Sequence, residues 1–204
     1  GFTGDLGYEI FLPNKLAKIT WDKIWKAGKN LGIKAIGLNA LNIARIETGF
    51  IIANSDFITS EHAIRNNRIR NPDEIGMSWM VDMTKPYFNG KNALKKIRDN
   101  KASKFVFAAL EIDGKEPADG AIIYYNKKQE VGIITAATWS PTAKKSIALA
   151  SLKLPYGVEI QSNLWVEIYV LRELEYYKMM KKVFIVKAPF VKLKRRNITP
   201  PLRK

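Results

Sequence analysis

Tyr8, Glu9, Arg45 and Trp79 are the side chains whose types and settings could do chemistry on a flat, hydrogen-bonding ligand. Glu9 follows the run Gly1-Phe2-Thr3-Gly4-Asp5-Leu6-Gly7-Tyr8, in which three glycines fall within seven residues. A glycine-rich turn can bring backbone close to another surface and present the side chains beside it. The groups presented are Tyr8 and Glu9. A carboxylate can accept two parallel N–H bonds from the edge of a flat ligand, which gives affinity and orientation together. Arg45 sits in the middle of a helical pattern, with Glu47 two residues on. Its planar fork suits a ligand carboxylate, or a structural ion pair with an acid such as Glu9. Residues i and i+2 of a helix do not face each other, so Arg45 and Glu47 need different partners. Trp79 offers a stacking face for a heterocycle, or a core side chain on an apolar strand. Tyr8 has the same two readings.

Other chemistries are excluded. There is no cysteine, so disulfides, thiolate catalysis and cysteine metal sites are out. The single histidine, His62, cannot build a multi-histidine metal site and reads as an exposed residue after Ser60-Glu61. No phosphate-binding glycine loop or Ser-His-Asp arrangement occurs. Glu47 and Asp56 read as structural acids. No stretch of eighteen apolar residues is present, so no transmembrane helix is expected. The start lacks the basic and apolar regions of a signal peptide. Together with the missing cysteines, this fits a cytoplasmic placement.

The 204 residues carry 34 Lys+Arg against 19 Asp+Glu, a net charge of +15. Lys178 to Lys204 holds ten basic residues and no acid. Such a block is a solvated face or an attractor of polyanions, nucleic acid among them.

The elements that must position these residues fall into two groups. Residues 10–12 read as a strand. Pro13 opens a helix whose stripe is Ala17, Trp21, Ile24, Gly28 and Leu31, closed by Gly32. A second helix spans 37–48, with Leu38, Leu41 and Ala44 on one face and Gly49 as its stop. Residues 50–74 are polar and irregular, Ser78 to Met83 reads as a strand, and 90–100 as a third helix. After Lys101 the character changes. Residues 104–112, 121–125, 131–138, 146–152, 164–170 and 182–188 are short β-branched and aromatic runs separated by turns, the signature of an antiparallel barrel or sandwich. Residues 171–181 read as a charged hairpin or a short helix. The expected class is α+β, with a boundary near 100–103.

The opening run resembles the glycine-rich GYE motif of the T-protein (GcvT-like) folate-dependent aminomethyltransferase family. Gly37-Leu38-Asn39-Ala40-Leu41 through Arg45, Glu47 and Gly49 is similar to the family's G-L-x-A-L-x-x-x-R-x-E-x-G helix. Ile75-Gly76-Met77-Ser78-Trp79-Met80-Val81 resembles its G-L-x-W-x-V segment, and Phe88-Asn89-Gly90-Lys91-Asn92-Ala93-Leu94 its F-x-G-K-x-A-L helix start. Ser140-Pro141, Ile147-Ala148-Leu149-Ala150 and Pro189-Phe190 match its barrel. Family members are about twice this length, so the chain resembles a C-terminal half. The resemblance implies residues 1–100 as the C-terminal portion of the folate-binding domain and 104–204 as the closing β-barrel.

It further implies tetrahydrofolate as cofactor, Glu9 holding the pterin, and Arg45 and Trp79 lining the site with Tyr8. Arg195 and Arg196 lie where relatives contact folate, although an aromatic common there is missing. The family's catalytic aspartate belongs to the other half, so no catalytic residue is expected here. The implied function is aminomethyl or methyl transfer to folate. The donor is a lipoyl-bound aminomethyl group, a methylated amine, an aryl ether or a sulfonium. The implied partners are the N-terminal half as a second chain and a lipoyl carrier protein. Alternatives are a folate-dependent demethylase, a dimethylglycine dehydrogenase-like C-terminal half, a non-enzymatic folate-binding protein, and a basic nucleic-acid-binding module. The missing cysteines argue against the relatives associated with iron–sulfur assembly. The nucleic-acid reading leaves the ordered motifs unexplained.

Overall fold

The computed structural model describes residues 1–193. Among them, β1 (Phe105–Ile112), β2 (Ile122–Tyr125), β3 (Gln129–Ser140), β4 (Lys145–Lys153), β5 (Leu164–Arg172) and β6 (Glu175–Val186) close into an antiparallel barrel in the order β1-β4-β3-β2-β5-β6. Closure removes the sheet edges along the barrel wall. Alternate residues point inward. Leu110, Ile123, Val131, Ile134, Leu152, Leu164 and Val166 are fully buried there, with Ala108, Ala137, Ala148 and Ala150 filling the narrower parts. Each large aliphatic buried in this way contributes about 1.5–3 kcal/mol. Every expected β run is a strand of this barrel. The undecided segment 171–181 is a hairpin: Arg172 pairs with Glu175 across Glu173 and Leu174, both at positive φ (48° and 70°).

Three helices precede the barrel: α1 (Ala17–Gly28), α2 (Leu38–Glu47) and α3 (Lys91–Asp99). The outer wall of the barrel carries a second apolar cluster, in which Ile46 of α2 packs on Ala136, Ile147 and Leu149. The buried centre of α2 is therefore Arg45-Ile46, and not the expected Leu38 face, since Leu38 is 82% exposed. The stripe of α1 is likewise unburied. Trp21 and Trp25 stack on each other at 6.2 Å, but no residue of the helix is buried.

Both strands expected before the barrel are absent. Residues 10–12 have no regular structure, and Ser78–Met80 is a single 3-10 turn. An alternating apolar run becomes a strand only beside another strand, and the closed barrel wall offers no free edge.

Candidate functional site

The glycine-rich opening segment is fastened to the end of α2. Gly4 is buried at φ +65°, and a Cβ there would lie 2.6 Å from the Thr48 side chain, so only glycine fits. Phe2 packs against Phe50 with ring centroids 6.0 Å apart. From this anchor the chain runs out to Tyr8, which is 80% exposed, and to Glu9, also exposed. Among the described residues Glu9 makes no hydrogen bond or ion pair. Trp79 is 79% exposed on its 3-10 turn, so it is not the core side chain that an apolar strand would make it. Beside it, Met80 and Val81 line a hollow of about 390 Å³ with Phe88 and Leu94. Nearby, Thr84 donates through both its backbone N–H and its hydroxyl to Asp82 and holds that carboxyl below its ordinary range.

Arg45 has a different setting. It is 2% exposed, and its partner is Asp56 rather than Glu9. Nη1 donates to Asp56 Oδ2 at 2.6 Å and to the Phe50 carbonyl at 3.1 Å, while Nε donates to Asn42 Oδ1 at 2.8 Å. The Ile52 N–H also donates to Asp56 Oδ2, at 2.7 Å. The other carboxylate oxygen accepts from Thr135 Oγ1 at 2.7 Å. Thr135 reaches outward because the β3–β4 register shifts between Ile134 and Ala136, a bulge that re-aims one side chain. A helix, an irregular loop and a barrel strand are thus joined at one carboxylate.

Glu47 turns the other way, as the two-residue spacing requires. Its Oε1 accepts from Ser140 Oγ at 2.6 Å and its Oε2 from Thr142 Oγ1 at 3.2 Å, tying α2 to the β3–β4 turn. Its carbonyl accepts the N–H groups of Phe190 and Val191 at 2.9 and 3.2 Å. Both acids read as structural in sequence are structural. His62 is exposed, with Nδ1 2.9 Å from Thr59 Oγ1. Arg195 and Arg196 lie outside the described residues.

Sequence reasoning missed Glu74. It is buried, and its Oε1 accepts from the Lys104 and Phe105 N–H groups at 2.7 and 3.3 Å, fixing the chain as it enters β1. Its signal was the turn Asn71-Pro72-Asp73 just before it, whose Asn71 N–H donates to Glu74 Oε2 at 3.1 Å. Asp73 of that turn holds Arg98 of α3 through two bonds, of 2.6 and 2.8 Å.

Residues 1–85 match the family model of the GCVT N-terminal domain, and residues 105–192 match that of the glycine cleavage T-protein C-terminal barrel domain. An aminomethyltransferase of Chlorobaculum tepidum is 36% identical over 158 residues, covering 77% of this chain and 40% of that protein. One of Thermotoga neapolitana is 35% identical over 150 residues, covering 74% and 38%. The chain therefore spans about 40% of the length of these relatives. The fold is shared with the crystal structure of glycine cleavage system aminomethyltransferase T from Bartonella henselae, with a TM-score of 0.76, 20% identity, and 96% of this chain and 48% of that one covered. With both family models matched in order and aminomethyltransferases among its relatives, this chain belongs to the glycine cleavage T-protein (GcvT-like) family.

Proposed function

We propose that this chain is the pterin-recognising and barrel-closing part of a tetrahydrofolate-dependent one-carbon transferase. The observation that carries the reading is the segment around Glu9: an exposed carboxylate without a partner among the described residues, five residues from a glycine locked onto α2. Tetrahydrofolate would supply the nucleophilic nitrogen that receives an aminomethyl or methyl group. Glu9 would accept two N–H bonds from the pterin edge, and Tyr8 and Trp79 would cover its faces. Arg45 enters this reading through position: with Asp56 and Thr135 it holds α2, and hence the anchored segment, against the barrel. Arg195 would meet the carboxylates of the folate tail. No residue of this chain is assigned a proton-transfer role.

The division into a folate-binding portion, 1–100, and a barrel, 104–204, belongs to the same reading. So does a partner polypeptide that covers the open face of α1. The one-carbon donor is a small molecule or a carrier-bound group. Among the described residues no helix is long and apolar enough to cross a membrane.

Calorimetric titration with tetrahydrofolate tests the assignment. A micromolar dissociation constant is expected for the protein, weakened about tenfold or more by Glu9→Gln, the loss of a charge-assisted bond. No heat of binding, or an affinity that Glu9→Gln leaves unchanged, would overturn it.

A further inference from the structure

A crevice of about 410 Å³ lies between the outer barrel wall and the irregular loop that Asp56 ties down. It falls within the roughly 300–1,000 Å³ range of small-molecule sites. Phe107, Ile133 and Ser151 come from the barrel side, and Phe57, Ile58 and Ile75 from the loop side. Ile133 remains 46% exposed although its strand neighbours are buried, because it faces this opening.

Three polar features distinguish the crevice from a packing gap. Ser151 Oγ is buried and has no hydrogen-bond partner, alone among the described side chains. A buried hydroxyl in that condition calls for a partner. Arg68 lines the crevice, is exposed, and has no ion pair or side-chain hydrogen bond among the described residues. Arg70 is fixed beside it, with its guanidinium 3.6 Å from the centre of the Phe105 ring and bonded to the Asn67 and Ile69 carbonyls at 3.1 and 3.3 Å. The crevice acids are already engaged. Asp56 is paired with Arg45, and Glu74, whose two oxygens accept backbone N–H groups, acts electrostatically on Arg70, so Arg68 is the lining cation with no acid beside it among the described residues. The charge offered to an occupant is therefore chiefly that of Arg68, over apolar walls.

We propose that this crevice binds a small amphipathic carboxylate, with its apolar body on Phe107, Ile133 and Ile75, its anionic end at Arg68 and Arg70, and a polar atom at Ser151. The site is separate from Glu9 and does not depend on the folate reading.

Methyl NMR of isoleucine-labelled protein, titrated with 4-phenylbutyrate, tests it. Saturable shifts are expected at Ile58, Ile75 and Ile133, with half-saturation at millimolar concentration or below. The neutral 4-phenylbutyramide should bind about tenfold more weakly or worse, because it lacks the charge that both arginines meet, and the acid should bind Arg68→Ala about tenfold more weakly, because one of the two charged partners is gone. Ile133→Trp should block the site, and Glu9→Gln should leave it unchanged. Among the described residues the Arg68 side chain makes no hydrogen bond or ion pair that folding would lose, so its variant stays informative if Ile133→Trp misfolds. Shifts confined to Ile19, Ile24 and Ile36 around α1, equal binding of amide and acid, or full binding to Arg68→Ala would overturn the proposal.

Discussion

At the residue scale the decisive fact is the pairing of Arg45 with Asp56, both buried. Removing one partner leaves the other charge without compensation, so Arg45→Met or Asp56→Leu alone should each cost about 3–5 kcal/mol in urea unfolding. The double replacement should cost clearly less than the two together, because neither charge is then left unpaired. An additive cycle would mean that the two do not act as a unit. Asp73 makes a second prediction. The hydrogen bonds from Arg98 chiefly, and from Ser78, hold its carboxyl below the ordinary range against the opposing effect of burial. A depressed folded pKa stabilises above the unfolded value of about 3.9, and that contribution is lost as pH falls through the folded value. Asp73→Asn should therefore lower the urea midpoint at pH 7 and narrow its gap to the wild type by pH 3. At this scale the sequence made the types legible but not the partners. Arg45 called for an acid, yet Asp56 reaches it only because the loop folds back eleven residues later.

At the element scale α2 is the part that connects everything, and two positions probe how. Gly49 lies at φ +74°, and a Cβ there would sit 2.7 Å from the Ala188 Cβ, where the segment after β6 crosses the helix end. Gly49→Ala should cost about 1–3 kcal/mol, read by thermal unfolding, since strain and collision add. Thr135→Val keeps the shape but removes the donor to Asp56. About 1–3 kcal/mol is expected, because a buried carboxylate oxygen loses its partner. The barrel strands were legible one by one, since each carries its own alternation or apolar run. The runs at 10–12 and 78–83 carried the same pattern without becoming strands, because pairing is a property of neighbours. The α2 face was misjudged for a related reason. Its apolar residues nearly encircle the helix, and the barrel wall, by meeting Ile46, chose which side to cover.

At the scale of the whole molecule the barrel is well enclosed, while the region of α1 is open. Phe11 is 90% exposed, and Trp21, Leu31 and Ile36 are exposed as well. Trp21, Ile24, Trp25, Ile33 and Ile36 line one shallow hollow, and an exposed apolar patch of this kind marks an interface. Light scattering should show association that rises with concentration, reduced in the Trp21→Glu/Trp25→Glu double variant. A monomer at all concentrations would contradict this. Salt should strengthen the association, because it screens the repulsion between copies that each carry a net charge of +15. By itself the sequence determined the helices, the barrel strands as an antiparallel barrel or sandwich, and the presence of Tyr8 and Glu9 behind a glycine-rich turn, since these depend on periodicity, turn residues and order along the chain. Only the tertiary structure decided that Arg45 is enclosed by Asp56 and Thr135, that Trp79 stands exposed on a turn, and that a crevice opens beside Ser151. Those outcomes depend on which distant segments share a surface, and a linear pattern of residue types does not specify that.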